Sequence, residues 1–72
     1  MHRDIIRGHW QEVKTKIKLQ WHEFTDDEIT QMKGNYEELR EELQKRYGYN
    51  KDAAKLQIEQ FIDKYKFKDK HK

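Results

Sequence analysis

Apolar residues recur at helical spacing along most of this 72-residue chain. In its first third they follow one another at steps of 4, 3, 4, 4 and 3 residues, which places one apolar stripe along a helix of roughly four turns. Asp4 is a candidate N-cap, but Gly8 is unfavourable inside a helix, so the predicted start lies between Asp4 and Trp10. The stripe consists of Ile6, Trp10, Val13, Ile17, Trp21 and Phe24.

A short second helix is predicted directly after this stripe. Thr25 and Glu28 have the spacing of a capping box, in which each side chain accepts a hydrogen bond from the other residue's backbone N–H. Phe24 and Ile29, on either side of the cap, have the positions of a hydrophobic staple. Gly34 is a natural stop, so this helix is expected to be short.

Two further helices follow at the same apolar spacing. Gly48 is expected to end the third helix in a left-handed conformation and to let Tyr49 fold back on Leu43. Asn50 is a good N-cap for the fourth. The apolar positions are Tyr36, Leu39, Leu43 and Tyr47 in the third helix, and Ala54, Ile58, Phe61 and Tyr65 in the fourth. Two ion pairs one turn apart are predicted on the third helix, Glu41 with Lys45 and Glu42 with Arg46.

These elements predict an all-α fold in which four helices form a compact, irregular array with a short second helix. We expect one domain over residues 1–65 and a Lys-rich, flexible tail over residues 66–72. The predicted core combines the first stripe with Ile29 and Met32 of the second helix and with Tyr36, Leu39, Leu43, Ala54, Ile58 and Phe61.

The amino-acid composition excludes several classes of protein. The chain has no cysteine, which excludes disulfides, a thiolate nucleophile and a Cys-based zinc site. Its longest purely apolar stretches have only two residues, as at Ile5–Ile6, which is far too short for a transmembrane span or a signal peptide. We therefore expect a cytoplasmic protein and a monomer, although a weak dimer through an incompletely covered aromatic stripe stays open.

Charge is balanced overall but divided into blocks. The net charge of +2 comes from balances of +3 over residues 1–22, −6 over 23–44 and +5 over 45–72. Such blocks either pair when helices pack, which we favour, or present a basic face to an acidic partner. The candidate contacts for a polyanion are Lys14, Lys18, Lys64, Lys66, Lys68, Lys70 and Lys72.

No constellation of residues points to catalysis, a cofactor or a metal. The histidines His2, His9, His22 and His71 form no pair with the spacing of two ligands on one helical face. The carboxylates between Glu37 and Glu42 are expected to face water, where acid–base work is disfavoured. Among the aromatic residues, Tyr49 and Phe67 are expected to be partly exposed. Four others have the spacing of core residues rather than of platforms for stacked bases: Trp10, Trp21, Phe61 and Tyr65.

A family resemblance adds to this interpretation. The matching residues are Gly8-x-Trp10, Lys14-x-Lys16-Ile17-Lys18, Trp21, Thr25-Asp26-Asp27, Gly34, Leu39 and Leu43-Gln44-x-Arg46-Tyr47-Gly48-Tyr49-x-Lys51-x-x-Ala54. With this pattern, over about residues 3 to 62, the chain resembles the CsbD-like family of small bacterial stress-response proteins. It departs from the family pattern at Thr15 and Glu41, where glycine is frequent, and both replacements favour helix.

The resemblance implies a compact four-helix domain, induction under general stress and no established molecular activity. We accordingly expect a non-enzymatic general stress-response protein that acts as a structural or interaction protein. The alternative is a weak nucleic-acid-binding module that uses the basic helix faces and the Lys-rich tail. A membrane-surface role for the first helix is a third possibility, but it would require the apolar stripe to leave the core.

Overall fold

The computed structural model describes residues 2–67, and this part of the chain contains five α-helices and no strand. In chain order the helices are α1 (His2–Gly8), α2 (Trp10–Gln20), α3 (Asp26–Met32), α4 (Tyr36–Tyr47) and α5 (Lys51–Tyr65). Helix α4 packs against α5, α3 packs against α2 and α4, and α1 packs against α2 and α4. The predicted all-α fold is confirmed.

The predicted first helix is divided into α1 and α2, so the helix count is five rather than four. At His9 the backbone has φ −114° and ψ 29°, which lies outside the helical region. The His9 N–H still donates to the Ile5 carbonyl at 3.0 Å, and the Val13 N–H donates to the His9 carbonyl at 2.8 Å. The break is therefore a kink that keeps these two hydrogen bonds, and the preceding Gly8 favours it because glycine weakens a helix.

Side-chain caps fix the starts of the other three helices, and the sequence predicted those at Thr25 and Asn50 but not the one at Asn35. The Thr25 hydroxyl accepts from the Glu28 N–H at 3.1 Å, and the Glu28 carboxylate accepts from the Thr25 N–H at 2.9 Å, which completes the capping box. Asn35 caps α4 and Asn50 caps α5 through their side-chain oxygens. Gly48 ends α4 with φ +75°, in the left-handed region that favours glycine.

The core is assembled from every helix and is entirely apolar within the described residues. Every residue predicted for the core is buried except Trp10, which is partly buried against it. Ile62 and Phe67 also belong to the core, although the apolar spacing did not predict them there. The buried side chains are Ile6, Val13, Ile17, Trp21, Phe24, Ile29, Met32, Tyr36, Leu39, Leu43, Ala54, Ile58, Phe61, Ile62 and Phe67.

Phe67 corrects the expectation of an exposed aromatic residue after the last helix. Its side chain is only 4% exposed, and its ring lies 5.4 Å from the Phe61 ring and 6.2 Å from the His9 ring. Lys66 ends α5 with φ +57°, and this left-handed residue turns the backbone so that Phe67 returns to the core. The apolar spacing did not reveal this contact, because Phe67 follows a reversal of the chain.

Candidate functional site

The predicted lysine contacts on α2 lie on the side of this helix that faces α3. Lys14 and Lys18 line a groove together with Leu19 of α2 and Ile29 of α3. Lys18 is already engaged there: its Nζ lies 3.3 Å from the Asp26 carboxylate and donates to the Phe24 carbonyl at 3.1 Å. Lys18 therefore also helps to position the connection between the two helices.

The predicted contacts Lys64 and Lys66 lie in a different place, at the carboxyl end of α5. Lys64 Nζ donates to the Gln20 side-chain oxygen at 3.2 Å, which joins this end of α5 to the end of α2. Lys64 Nζ also lies 5.4 Å from the centroid of the Tyr65 ring. Lys68, Lys70 and Lys72 lie outside the described residues. The predicted polyanion contacts are thus divided between two faces, and their role stays a prediction.

Lys16, which was not among the predicted polyanion contacts, joins the second of these faces. Its Nζ lies 5.5 Å from the centroid of the same Tyr65 ring. Lys16 is two residues from both Lys14 and Lys18, so it projects from the opposite side of the apolar stripe. Lys16 and Gln20 are four residues apart, so the sequence already places them on one face of α2. Only the packing of α5 beside α2 shows that this face meets Lys64 and Tyr65.

The four aromatic residues with core spacing were predicted to belong to the core, and this prediction is confirmed for those that are buried. Trp21 and Phe61 are buried, and their ring centroids lie 4.9 Å apart. Trp10 and Tyr65 are partly buried and pack against the core. Tyr49 is partly buried, and its ring stacks on that of Tyr47 at 6.0 Å. None of the four predicted core aromatics presents a fully open ring.

The acidic residues are engaged in local structure rather than in a catalytic pair. Arg46 of α4 reaches across to the Glu28 carboxylate of α3. The pKa of Glu28 is lowered, first because its carboxylate accepts the hydrogen bond from the Thr25 backbone and further because of the Arg46 charge. Lys45 pairs with Glu42 at 3.6 Å. The two predicted ion pairs of α4, Glu41 with Lys45 and Glu42 with Arg46, do not form.

One further titratable group has a shifted pKa for a structural reason. Burial raises the pKa of Tyr36, on the core side of α4, because it disfavours the charged phenolate. Arg40 and Arg3 oppose this shift and Glu59 adds to it. Arg3 lies 5.6 Å from the centre of the Tyr36 ring and also pairs with Glu37. This arrangement joins α1 to α4.

Metal-ligand geometry is not found among residues 2–67, where no group of three or more histidine or acidic side chains is arranged to hold an ion. His2 and His9 each lie near one carboxylate, of Glu59 at 4.0 Å and of Glu12 at 3.7 Å. His22 contacts the Leu19 carbonyl at 2.8 Å. His71 lies outside the described residues. None of the helices in this part of the chain has the length and apolarity needed to cross a membrane.

The fold and its surface define a class: a small all-helical protein whose described part has an apolar core and no fully buried charged residue. Comparison with known proteins agrees with the resemblance noted in the sequence. The family model described as CsbD-like matches residues 4–56. The chain belongs to the CsbD-like family.

Relatives from several bacteria cover nearly the whole chain. It is 41% identical over 64 residues to a UPF0337 protein of Bordetella pertussis, across 89% of this chain and 97% of that protein. It is 40% identical over 58 residues to the UPF0337 protein YjbJ of Escherichia coli strain K12, across 81% of this chain and 84% of that protein. A UPF0337 protein of Pseudomonas aeruginosa is 38% identical over 64 residues, across 89% of this chain and 98% of that protein. No solved structure matches the chain.

Proposed function

We propose that this chain is a non-enzymatic general stress-response protein that acts in the cytoplasm as an interaction protein, through its charged surface. The observation that carries the proposal is the segregation of its side chains. All fifteen buried side chains of the described residues are hydrophobic, whereas the charged ones are at least partly exposed. In a chain with 42% charged residues, such a surface offers many weak contacts that salt screens.

Membership of the CsbD-like family supports the stress role, and the structural role of Glu28 as a helix cap supports a role without catalysis. Acid–base catalysts need carboxylates whose environments move their pKa values towards the working pH. The shifted carboxylate here is Glu28, and its pKa moves in the opposite direction because it caps α3. The shift is therefore explained by helix structure.

We propose that the protein acts as a monomer. The exposed large hydrophobic side chains of the described residues are Leu19, 57% exposed, and Leu56, 50% exposed. They lie on different helices, α2 and α5. Single exposed leucines are ordinary on protein surfaces and do not by themselves indicate a permanent interface.

Deletion of the gene in its host, followed by osmotic, desiccation and stationary-phase stress, tests this function. We expect the deletion strain to survive less well and the wild-type gene to restore survival. Leu43→Asp, which places a charge in the fully buried core, is the control that abolishes the fold while keeping a hydrophilic chain. Unchanged survival of the deletion strain contradicts the stress role, and full rescue by the Leu43→Asp gene contradicts action through the folded surface.

A further inference from the structure

We propose that Lys16, Lys64 and Tyr65 form a binding site for the phosphate groups of an extended polyanion. The site lies where the end of α5 meets α2. Two ammonium groups from different helices approach one aromatic ring there, with Lys16 Nζ 5.5 Å and Lys64 Nζ 5.4 Å from the centroid of Tyr65. This convergence brings together two positive charges that are 48 residues apart in the sequence.

Neighbouring residues fix the groups that form the site. The Gln20 side-chain oxygen accepts a hydrogen bond from Lys64 Nζ at 3.2 Å. The Tyr65 ring packs against Phe61 at 5.3 Å and against Phe67 at 6.1 Å. The ring is thus held against the core, and its attraction for the two ammonium groups restrains both lysine side chains at this end of α5. Such preorganisation lowers the entropy that binding must overcome.

The charges at this site have no acidic partner in the described chain. No carboxylate of residues 2–67 lies within ion-pair distance of Lys16, Lys64 or the adjacent Lys66. Lys18 and Lys45, by contrast, are each paired with a carboxylate. Both ammonium groups of the site are therefore left without a neutralising carboxylate in this part of the chain, and an anion that reaches them gains their uncompensated attraction. The site therefore favours an anionic ligand.

The chemistry of the donors selects phosphate chains rather than bases. Lysine is a point charge that binds phosphate without demanding a fixed geometry. The Tyr65 ring already contacts both ammonium groups and two phenylalanine rings. Its role at the site is therefore to position the lysines and not to stack on a base. Lysines at a surface bind one anion weakly, and affinity comes from several phosphates contacted together. Lys66, the residue after Tyr65, is exposed and adds a further positive charge at this end of α5.

Inorganic polyphosphate and single-stranded nucleic acid both present such a chain of phosphates, and two probes distinguish them. Binding of the full-length purified protein to fluorescently labelled polyphosphate and to labelled oligothymidylate is measured by fluorescence anisotropy over a series of salt concentrations. Oligothymidylate is chosen because it presents phosphates without base pairing. We expect saturable binding of at least one probe at low ionic strength, and the preferred probe identifies the source of the phosphates.

Matched variants separate this site from the effect of net charge. The test variant is Lys16→Gln with Lys64→Gln. The control variant is Lys51→Gln with Lys55→Gln, which removes two exposed charges at the other end of α5. A third variant, Lys16→Arg with Lys64→Arg, keeps the charges at the site. Circular dichroism of each variant checks that the helical content is unchanged.

We expect the test variant to bind the preferred probe about tenfold more weakly than the control, because two phosphate contacts are lost. For the oligonucleotide, the slope of log K against log salt falls by about 1.4, since each contact contributes about 0.7 on a single strand. The arginine variant keeps its affinity. No binding to either probe, or equal weakening in the test and control variants, overturns the proposal. The site goes beyond the proposed function and does not rest on it, so a survival defect without binding overturns the site alone.

Discussion

The Arg46 guanidinium of α4 donates a hydrogen bond to the Glu28 carboxylate, which also caps α3. The same guanidinium donates to the Glu23 carbonyl at 3.2 Å and lies 5.9 Å from the centroid of the Phe24 ring. One side chain thus holds the loop before α3, the first turn of α3 and the end of α4. The capping box is therefore part of the tertiary structure as well as a local signal.

Replacing Arg46 by alanine should destabilise the protein more than replacing its neighbour Lys45. Arg46→Ala removes the hydrogen bond to the Glu23 carbonyl and the contact with Phe24, and we expect a loss of about 1 kcal/mol in the free energy of unfolding. Lys45 is largely exposed and pairs only within α4, so Lys45→Ala should change it by less than about 0.5 kcal/mol. Urea denaturation measures both, and equal losses would contradict the role of Arg46.

Acid should weaken the capping box at Glu28. Because the pKa of Glu28 in the folded state lies below its ordinary value of 4.5, its carboxylate contributes stability above that value and loses it as the pH falls through the folded pKa. Glu28→Gln should therefore be less stable than the wild type at neutral pH, and the difference should narrow as the pH falls below 4.5. Denaturation over a pH series measures this difference. Glu41→Gln, away from the cap, is the control, and a Glu28→Gln difference that is constant with pH would refute the mechanism.

Alanine at Gly8 and alanine at Gly48 should have opposite effects. Gly8 closes α1 without a positive φ, and an added Cβ meets nothing within 4 Å, so Gly8→Ala should stabilise by about 0.5 kcal/mol or more. Gly48 has φ +75°, which strains any residue with a Cβ, so Gly48→Ala should destabilise by about 1 kcal/mol. Thermal unfolding of both variants provides the comparison. Destabilisation by Gly8→Ala would contradict the prediction and would show that the kink at His9 requires glycine at position 8 rather than merely being favoured by it.

Removing the Phe67 ring tests whether the residue belongs to the core. Phe67→Ala deletes a buried ring that contacts Phe61 and Tyr65, and we expect a loss of about 3 kcal/mol in the free energy of unfolding. Leu56→Ala truncates a half-exposed side chain on α5 and should cost less than about 0.5 kcal/mol. Guanidinium denaturation distinguishes the two. Similar small changes in both variants would place Phe67 outside the cooperative unit.

The sequence was informative wherever a structural rule acts within one or two helical turns. Thr25 and Glu28 form the predicted capping box, Asn50 caps α5, and Gly48 takes the left-handed conformation, because each depends on neighbours three or four residues away. The core residues were predicted for the same reason, since apolar spacing follows the helical period. Ile62 was missed because it lies beside the narrow stripe that the spacing selects.

The remaining features depend on residues that are distant in the sequence. The predicted partner of Arg46 was Glu42, one turn away, but the packing of α4 on α3 offers Glu28 instead. Lys16 gained its place only through Tyr65, on a helix whose position beside α2 the sequence does not specify. The sequence thus predicted one lysine of the candidate site, Lys64. Only the packing of the helices revealed the other, Lys16.

The hairpin formed by α4 and α5 has a consequence for how the molecule assembles. Three residues, 48–50, join these helices, and the pair packs together closely. Closing so short a connection costs little chain entropy, so contacts between these helices can form early on the folding pathway. Arg46 joins this hairpin to α3 and Phe67 joins it to His9 at the break between α1 and α2, so these contacts would then form in later steps. We therefore expect mutations in the hairpin to slow folding and mutations at the docking contacts mainly to speed unfolding.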